Sequence, residues 1–185
     1  MIIKHSQQRV GVFIDTQNLY HSAKNLYGKR VNFSALLRDA VADRQLIRAV
    51  AYVITSELGD EKGFFEALTK LGIETKTKDL QIFSDGSKKG DWDVGIAVDA
   101  IALAHKLDTV ILMSGDGDFV PLVHYLKYNS GVQVEVASFG NSTSARLIEV
   151  ADDFMDLSHE HNRYVLGGRH TGKPNRKKRT APRTP

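Results

Sequence analysis

Aspartates in three separate segments are the residues of this chain best suited to chemistry. Asp15 follows a short apolar run, Asp93 stands at the start of an apolar stretch, and Asp116 and Asp118 lie two residues apart. Carboxylates this close repel each other and raise each other's pKa, a cost that a divalent cation removes. Mg²⁺ takes hard oxygen ligands and retains several waters, so one or two direct carboxylates are enough to hold it. The pattern predicts a carboxylate cluster around Mg²⁺ or Mn²⁺.

Helix capping is the alternative explanation for these carboxylates. Asp15 is followed three residues later by Asn18, at the start of a predicted helix, and both residue types cap helices well. Capping also accounts for either Asp91 or Asp93, at the start of the helix expected over 91–106, but not for both. A cap alone therefore explains part of the acidic pattern.

Asp99 is unusual because it lies inside the otherwise apolar stretch Gly95–Ala104. Burying an unpaired carboxylate is costly, so Asp99 requires a partner or an ion. Asp93 and Asp99 are six residues apart, so on a helix their side chains point in directions roughly 120° apart. The two carboxylates therefore do not face one metal equally, and we favour Asp93 as the metal ligand. Asp99 then either supports the metal site or bonds the turn at Asp15 and Asn18, and the sequence leaves both readings open.

Gly115 and Gly117 alternate with the acidic residues of the Ser-Gly-Asp-Gly-Asp segment. Glycine tolerates positive φ and has no side chain. We therefore expect a tight turn with positive φ and open space beside Asp116 and Asp118.

Strands and helices alternate along the chain, which predicts a three-layer α/β/α sandwich with a mostly parallel central sheet. The carboxyl ends of parallel strands share one edge, where ligands bind in such folds. Two of these ends carry the acidic segments. The helix expected over 91–106 is apolar around most of its circumference, so it should be largely buried, and 84–90 should be a loop. The predicted strands cover 10–14, 47–54, 73–78, 109–113 and 132–138.

Composition and charge describe one domain, over 9–160, followed by a basic tail over 161–185 that we expect to be disordered. Eight of the 25 Lys and Arg residues lie from Asn162 onward, where no acidic residue occurs, so the remaining 17 face 22 acidic residues. Basic blocks commonly bind phosphate backbones. With no cysteine, no leader and no apolar span, a cytoplasmic protein is expected. The tail residues expected to bind nucleic acid are Arg176, Lys177, Lys178 and Arg179.

Over residues 9 to 157 the chain resembles the NYN domain of the PIN-like nuclease superfamily, near its bacterial DUF88 branch. Three segments carry the resemblance, and a weaker match runs from Ser138 through Asp152 and Phe154. The strand-Asp-x-x-Asn and Ser-Gly-Asp-x-Asp-Phe pair, in this order and separation, is a strong signal. The three segments are Phe13–Asn18, Lys89–Val94 with Asp99-Ala100, and Ser114–Leu122.

The resemblance implies a PIN-like fold and a divalent-metal-dependent ribonuclease that hydrolyses RNA phosphodiester bonds. Asn18 and Ser114 would then position water or phosphate, and Lys89 would contact the substrate backbone. Trp92 either stacks on a base or anchors its loop on the core, the second being the commoner use of a tryptophan. Because PIN-like proteins often dimerise, a homodimer is also implied. The residues implied to hold the metal are Asp15, Asp93, Asp116 and Asp118.

Two other functions compete with this assignment. A nucleic-acid-binding or regulatory module that keeps the fold without useful catalysis would also have the basic tail. A haloacid-dehalogenase phosphatase would need a second aspartate two residues after Asp15, where this chain has Gln17. The seven histidines show neither HxxxH nor HExxH spacing, and the sequence does not distinguish RNA from DNA or single from double strands.

Overall fold

The computed structural model describes residues 2, 4–55, 62–79, 81–82, 88–89 and 91–167. The predicted nucleic-acid-binding residues of the tail lie outside this part of the chain, as does most of the predicted 84–90 loop. Where it is described, that loop contains a short strand, so the loop expectation is wrong for Lys88 and Lys89.

A six-stranded parallel sheet forms the centre of the molecule, which confirms the predicted fold class. Its strands follow the order β4-β3-β1-β7-β8-β9. They are β1 (Arg9–Asp15), β3 (Gln45–Thr55), β4 (Glu74–Asp79), β7 (Thr109–Met113), β8 (Gln133–Ser138) and β9 (Asp153–Asp156). Two antiparallel pairs lie outside this sheet: β2 (Arg30–Val31) with β10 (Val165–Leu166), and β5 (Gln81–Ile82) with β6 (Lys88–Lys89).

Helices cover both faces of the sheet. The first face carries α1 (Thr16–Tyr27), α2 (Phe33–Val41), α3 (Lys62–Lys70) and α7 (His161–Tyr164). The second face carries α4 (Asp93–Ala104), α5 (Val120–Tyr128) and α6 (Ala145–Val150). Two short 3₁₀ helices, Gly117–Phe119 and Gly140–Ser142, follow β7 and β8.

The core is divided by the sheet because side chains alternate between the faces of a strand. On β1, Val12 and Ile14 pack under the first helical layer, whereas Phe13 packs under the second. On β7, Ile111 and Leu112 divide in the same way. Strands buried on both faces explain the continuous apolar runs in the sequence.

The chain reverses its direction of travel across the sheet between β1 and β7. From β1 it proceeds to β3 and β4 on one side, and from β7 it proceeds to β8 and β9 on the other. The crevice outside the carboxyl ends of two such strands is where open α/β sheets bind ligands. Asp15 ends β1, and the Ser114–Asp118 segment follows β7, so the topology places both acidic segments at this crevice.

Helix α4 is not largely buried, contrary to the prediction from its composition. Only Ile96, Ala100 and Ala104 are buried, whereas Val94 and Val98 are 74% and 58% exposed. A helix in a single layer rests on the sheet through one stripe, so its apolar outer face stays uncovered by the described residues.

Packing extends beyond the domain boundary predicted at residue 160. Tyr164 and Val165 belong to the core, and Arg163 pairs with Asp39 of α2 through two hydrogen bonds. Strand β10 also pairs with β2. The packed domain therefore reaches Leu166.

A separate cavity of about 610 Å³ lies over β8 and β9 and shares no residue with the acidic crevice. Its charged groups bond one another: Glu135 pairs with the buried Arg44 at 2.6 Å and with Lys4 at 3.2 Å. These described charges therefore neutralise one another and are not available to a ligand. Among the described residues, no helix has the length and apolar character needed to cross a membrane.

Candidate metal centre

Asp93, Asp116 and Asp118 converge at the crevice from two distant segments of the chain. One carboxylate oxygen from each lies within 4.8 Å of the others. Asp93 and Asp116 are partly buried and Asp118 is exposed, so the group is open to solvent. Three hard oxygen donors at this spacing are the type of ligand set that a divalent cation takes.

The turn after β7 positions Asp116 and Asp118 relative to each other. The Asp116 carboxylate accepts a hydrogen bond of 2.9 Å from the Asp118 N–H and caps the short 3₁₀ helix. The Asp116 N–H in turn donates to the Ser114 hydroxyl at 3.2 Å. The capping alternative is therefore correct for Asp116, but it leaves Asp118 without a capping role.

Asp15 is a buried carboxylate outside this three-carboxylate group. One of its oxygens accepts from the Asn18 N–H at 3.0 Å, which caps α1, and the other accepts from the Ser114 hydroxyl at 3.0 Å. Each carboxylate oxygen has further acceptor capacity. Asp15 lines the same cavity as Asp93 and Asp116, so capping does not remove it from the site.

Electrostatic repulsion in the crevice is strong. The pKa of Asp93 is raised to about 6, first by burial and then by repulsion from four neighbouring carboxylates: Asp116, Asp15, Asp91 and Asp118. Burial likewise raises the pKa of Asp15, although its hydrogen bonds from Asn18 and Ser114 oppose the shift. Either a proton or a cation relieves such crowding.

Ser114 does not act as the resemblance implied, whereas the role implied for Asn18 stays a prediction. The Ser114 side chain is fully buried, and its hydroxyl bridges Asp15 and Asp116, so it orients carboxylates and does not reach water or phosphate. Asn18 lines the cavity, but its carbonyl oxygen accepts from the Gly115 N–H at 2.9 Å. Asn18 therefore ties α1 to the turn after β7.

The two glycines of the turn are required by close packing and not by positive φ. Neither belongs to the glycines with positive φ. A Cβ on Gly115 would lie 3.1 Å from the Ser142 carbonyl oxygen, and a Cβ on Gly117 would lie 2.8 Å from the Ser144 hydroxyl. The expected open space is thus occupied by the segment after β8.

Asp93 and Asp91 are distinguished by the structure. Trp92 is the N-cap of α4 and makes no side-chain capping bond, so neither aspartate caps this helix. Asp93 is the first helical residue and joins the three-carboxylate group, whereas Asp91 lines the cavity without joining it. The preference for Asp93 as the ligand is consistent with this placement.

Asp99 lies outside the acidic group, and neither of its expected roles matches its contacts. Its carboxylate accepts hydrogen bonds of 2.6 Å from the Tyr52 hydroxyl and from the Lys76 ammonium. Burial raises the pKa of Asp99, but these two partners outweigh burial and leave it below the usual value. Asp99 is therefore a paired structural carboxylate between α4 and the β3–β4 strands.

Trp92 anchors its loop on the core, as the commoner of the two readings expected. Its indole N–H donates to the Val53 carbonyl at 3.0 Å, and its ring packs 5.4 Å from that of Tyr52. It also lines the acidic cavity, and the Lys78 ammonium lies 5.9 Å from its ring. Base stacking on Trp92 stays a prediction, as does the substrate contact of Lys89.

Helix α1 contributes residues that sequence reasoning missed. The cavity, about 340 Å³ in volume, is lined by Gln17, His21, Asn25 and Ser142 as well as by the aspartates. The signal was present in the sequence, since Asn18, His21 and Asn25 recur at helical spacing.

A family model for the NYN domain matches residues 9–158. The chain belongs to the NYN domain family. It is 26% identical over 161 residues to the low amplitude and bright protein LabA of Synechococcus elongatus, covering 81% of this chain and 84% of LabA. A crystal structure of a protein of unknown function from Vibrio parahaemolyticus is 32% identical, with a TM-score of 0.80. That similarity covers 89% of this chain and all of the Vibrio protein.

Proposed function

We propose that this NYN domain is a divalent-metal-dependent ribonuclease that hydrolyses RNA phosphodiester bonds. The observation that carries the proposal is the convergence of Asp93, Asp116 and Asp118 within 4.8 Å at the switch point of the sheet. The raised pKa of Asp93 supports it, because it reports a site crowded with negative charge.

Asp93, Asp116 and Asp118 would hold Mg²⁺ or Mn²⁺, and Asp15, which lines the same cavity, would be a further oxygen donor. When bound, the cation supplies positive charge to the phosphate and acts as a Lewis acid. Ser114 keeps Asp15 and Asp116 in place through its two hydrogen bonds. Asn18 fixes the turn after β7 against α1, so the carboxylates are positioned before substrate arrives.

The test is cleavage of fluorescent RNAs, both single-stranded and structured, by the full chain with Mn²⁺ or Mg²⁺. Asp116→Asn preserves shape but removes a ligand charge, and we expect it to lower cleavage by at least about 100-fold. Mn²⁺ should raise the Tm of the wild type and not of this variant. Asp99→Asn, which alters a carboxylate outside the group, should retain cleavage.

The proposal fails if the wild type leaves these RNAs intact with both ions, or if Asp116→Asn cleaves as well as the wild type. RNA binding without cleavage would favour the alternative function, a binding or regulatory module of the same fold. The specific feature behind that alternative is the run of basic residues after Gly167, which supplies affinity for phosphates without any chemistry.

A further inference from the structure

Helix α1 presents a row of amide and imidazole side chains to the cavity that holds the aspartates. Gln17, Asn18, His21 and Asn25 line this cavity, and Ser142 faces them from the segment after β8. At 1.5 Å per residue, the seven residues from Asn18 to Asn25 span roughly 10 Å along the helix. The row therefore leads away from the carboxylates along one wall of the cavity.

The fold makes little use of the outer part of this row. His21 and Asn25 are exposed, and neither side chain hydrogen-bonds to another described residue, although the His21 ring lies edge-on to Tyr20. His and Asn are also weaker helix formers than the Ala or Lys that suit exposed helical positions. Helix stability thus does not account for these two residue types at these positions.

The charges along the groove determine which part of a substrate fits the row. Among the described residues, no Lys or Arg lines this cavity, whereas Asp15, Asp91, Asp93 and Asp116 do. A phosphate beside α1 would have no lysine or arginine to pair with, so the phosphate belongs at the carboxylate end with its cation. Amide and imidazole groups offer hydrogen-bond donors and acceptors, which match base edges and ribose hydroxyls.

We propose that His21 and Asn25 form a base- and ribose-binding row that selects which phosphodiester bond reaches the aspartates. The inference rests on the proposed ribonuclease function and names how its site reads the substrate. Bases in a duplex have their pairing edges occupied, so reading of base edges by this row favours unpaired nucleotides. Cleavage is then selective for the nucleotides flanking the broken bond.

The experiment uses the full chain, Mn²⁺ and a pool of short single-stranded RNAs of randomised sequence. Sequencing the products gives the nucleotide preference on each side of the cleaved bond. The double variant His21→Ala/Asn25→Ala should flatten this preference and raise KM about 10-fold, as expected when two hydrogen bonds are removed, with kcat nearly unchanged. The Mn²⁺ concentration that half-saturates the rise in Tm should stay the same.

Lys24→Ala is the matched control, because Lys24 is exposed on α1 but does not line the cavity. Anisotropy of a short fluorescent RNA in Ca²⁺ supplies a readout that needs no cleavage. If the double variant keeps the wild-type nucleotide preference, KM and RNA affinity, the inference is overturned and the ribonuclease function is unaffected. RNA affinity that falls in the double variant, with no cleavage by the wild type, would instead support the row and overturn the ribonuclease function.

Discussion

Ser114 is the residue on which the geometry of the acidic group depends most directly. It is fully buried, and its hydroxyl donates to Asp15 and accepts from the Asp116 N–H. We expect Ser114→Ala to lower the free energy of unfolding by about 1–2 kcal/mol, because two polar groups lose a buried partner. Residues that orient metal ligands typically change affinity by about 10–100-fold when removed, so Mn²⁺ affinity should fall within that range.

Urea unfolding and calorimetric Mn²⁺ titration measure the two effects. Ser130→Ala, at an exposed serine after α5, is the control. A Ser114→Ala protein that binds Mn²⁺ as tightly as the wild type would show that the hydroxyl is not needed to orient the carboxylates.

Asp93 gives the metal-free protein a definite pH dependence. Its pKa of about 6 in the folded state exceeds that of an unfolded aspartate, about 3.9. The folded state therefore binds the proton more tightly, and stability falls as pH rises from about 4 to about 6. Asp93→Asn removes this loss and should stabilise the metal-free protein at neutral pH by about 1 kcal/mol, a figure discounted for solvent screening.

Urea unfolding in EDTA across this pH range checks the expectation, with Asp43→Asn as an exposed control. Asp15 contributes a residual slope of the same sign, because its pKa is also raised. If Asp93→Asn is less stable than the wild type at neutral pH, the repulsion attributed to this cluster is absent.

At the scale of elements, the turn after β7 and the segment after β8 form one packed unit. Gly115 and Gly117 let residues 142–144 approach the turn, and the Ser144 N–H donates to the Gly115 carbonyl at 2.9 Å. A Cβ on Gly115 would meet backbone atoms of Ser142 and Thr143 at 3.1 Å. Gly115→Ala should therefore lower the free energy of unfolding by about 1 kcal/mol and displace the acidic turn.

Gly63→Ala in α3 is the matched control, since a Cβ there meets nothing within 4 Å. It should stabilise the protein by about 0.5 kcal/mol, because alanine loses less backbone entropy than glycine. In urea unfolding we expect a lower free energy of unfolding for Gly115→Ala and a higher one for Gly63→Ala than for the wild type. A stabilising Gly115→Ala would mean that the loops move apart without cost.

The sequence predicted elements whose signals are local. The apolar run ending at Asp15 predicts β1, and Gly28 ends α1 in the left-handed conformation that favours glycine. The sequence could not predict hydrogen-bond partners that come from distant strands. Asp99 bonds Tyr52 and Lys76, which precede it by 47 and 23 residues. Composition also overstated the burial of α4, because apolar content does not specify how many layers cover a helix.

At the scale of the whole molecule, positive charge is concentrated in the final residues. Removing residues 168–185 takes away seven Lys and Arg residues and no acidic one, so the formal charge changes from +3 to −4. The acidic crevice belongs to the part that remains. Under the proposed function, the basic end attracts RNA and the packed domain hydrolyses it.

Truncation after Gly167 tests this division. RNA affinity should weaken, and the slope of log K against log salt should flatten by about 0.7 for each phosphate that is no longer neutralised, or about 3 if Arg176, Lys177, Lys178 and Arg179 each neutralise one. Mn²⁺-dependent cleavage of a saturating short RNA should persist, because the aspartates are untouched. A full-length variant with these four residues changed to Ala separates their charge from the rest of the tail. It should reproduce the weaker RNA affinity and the flatter salt slope of the truncated protein.

An unchanged salt slope would show that the basic end does not bind phosphate. Loss of cleavage on truncation would place catalysis outside the packed domain.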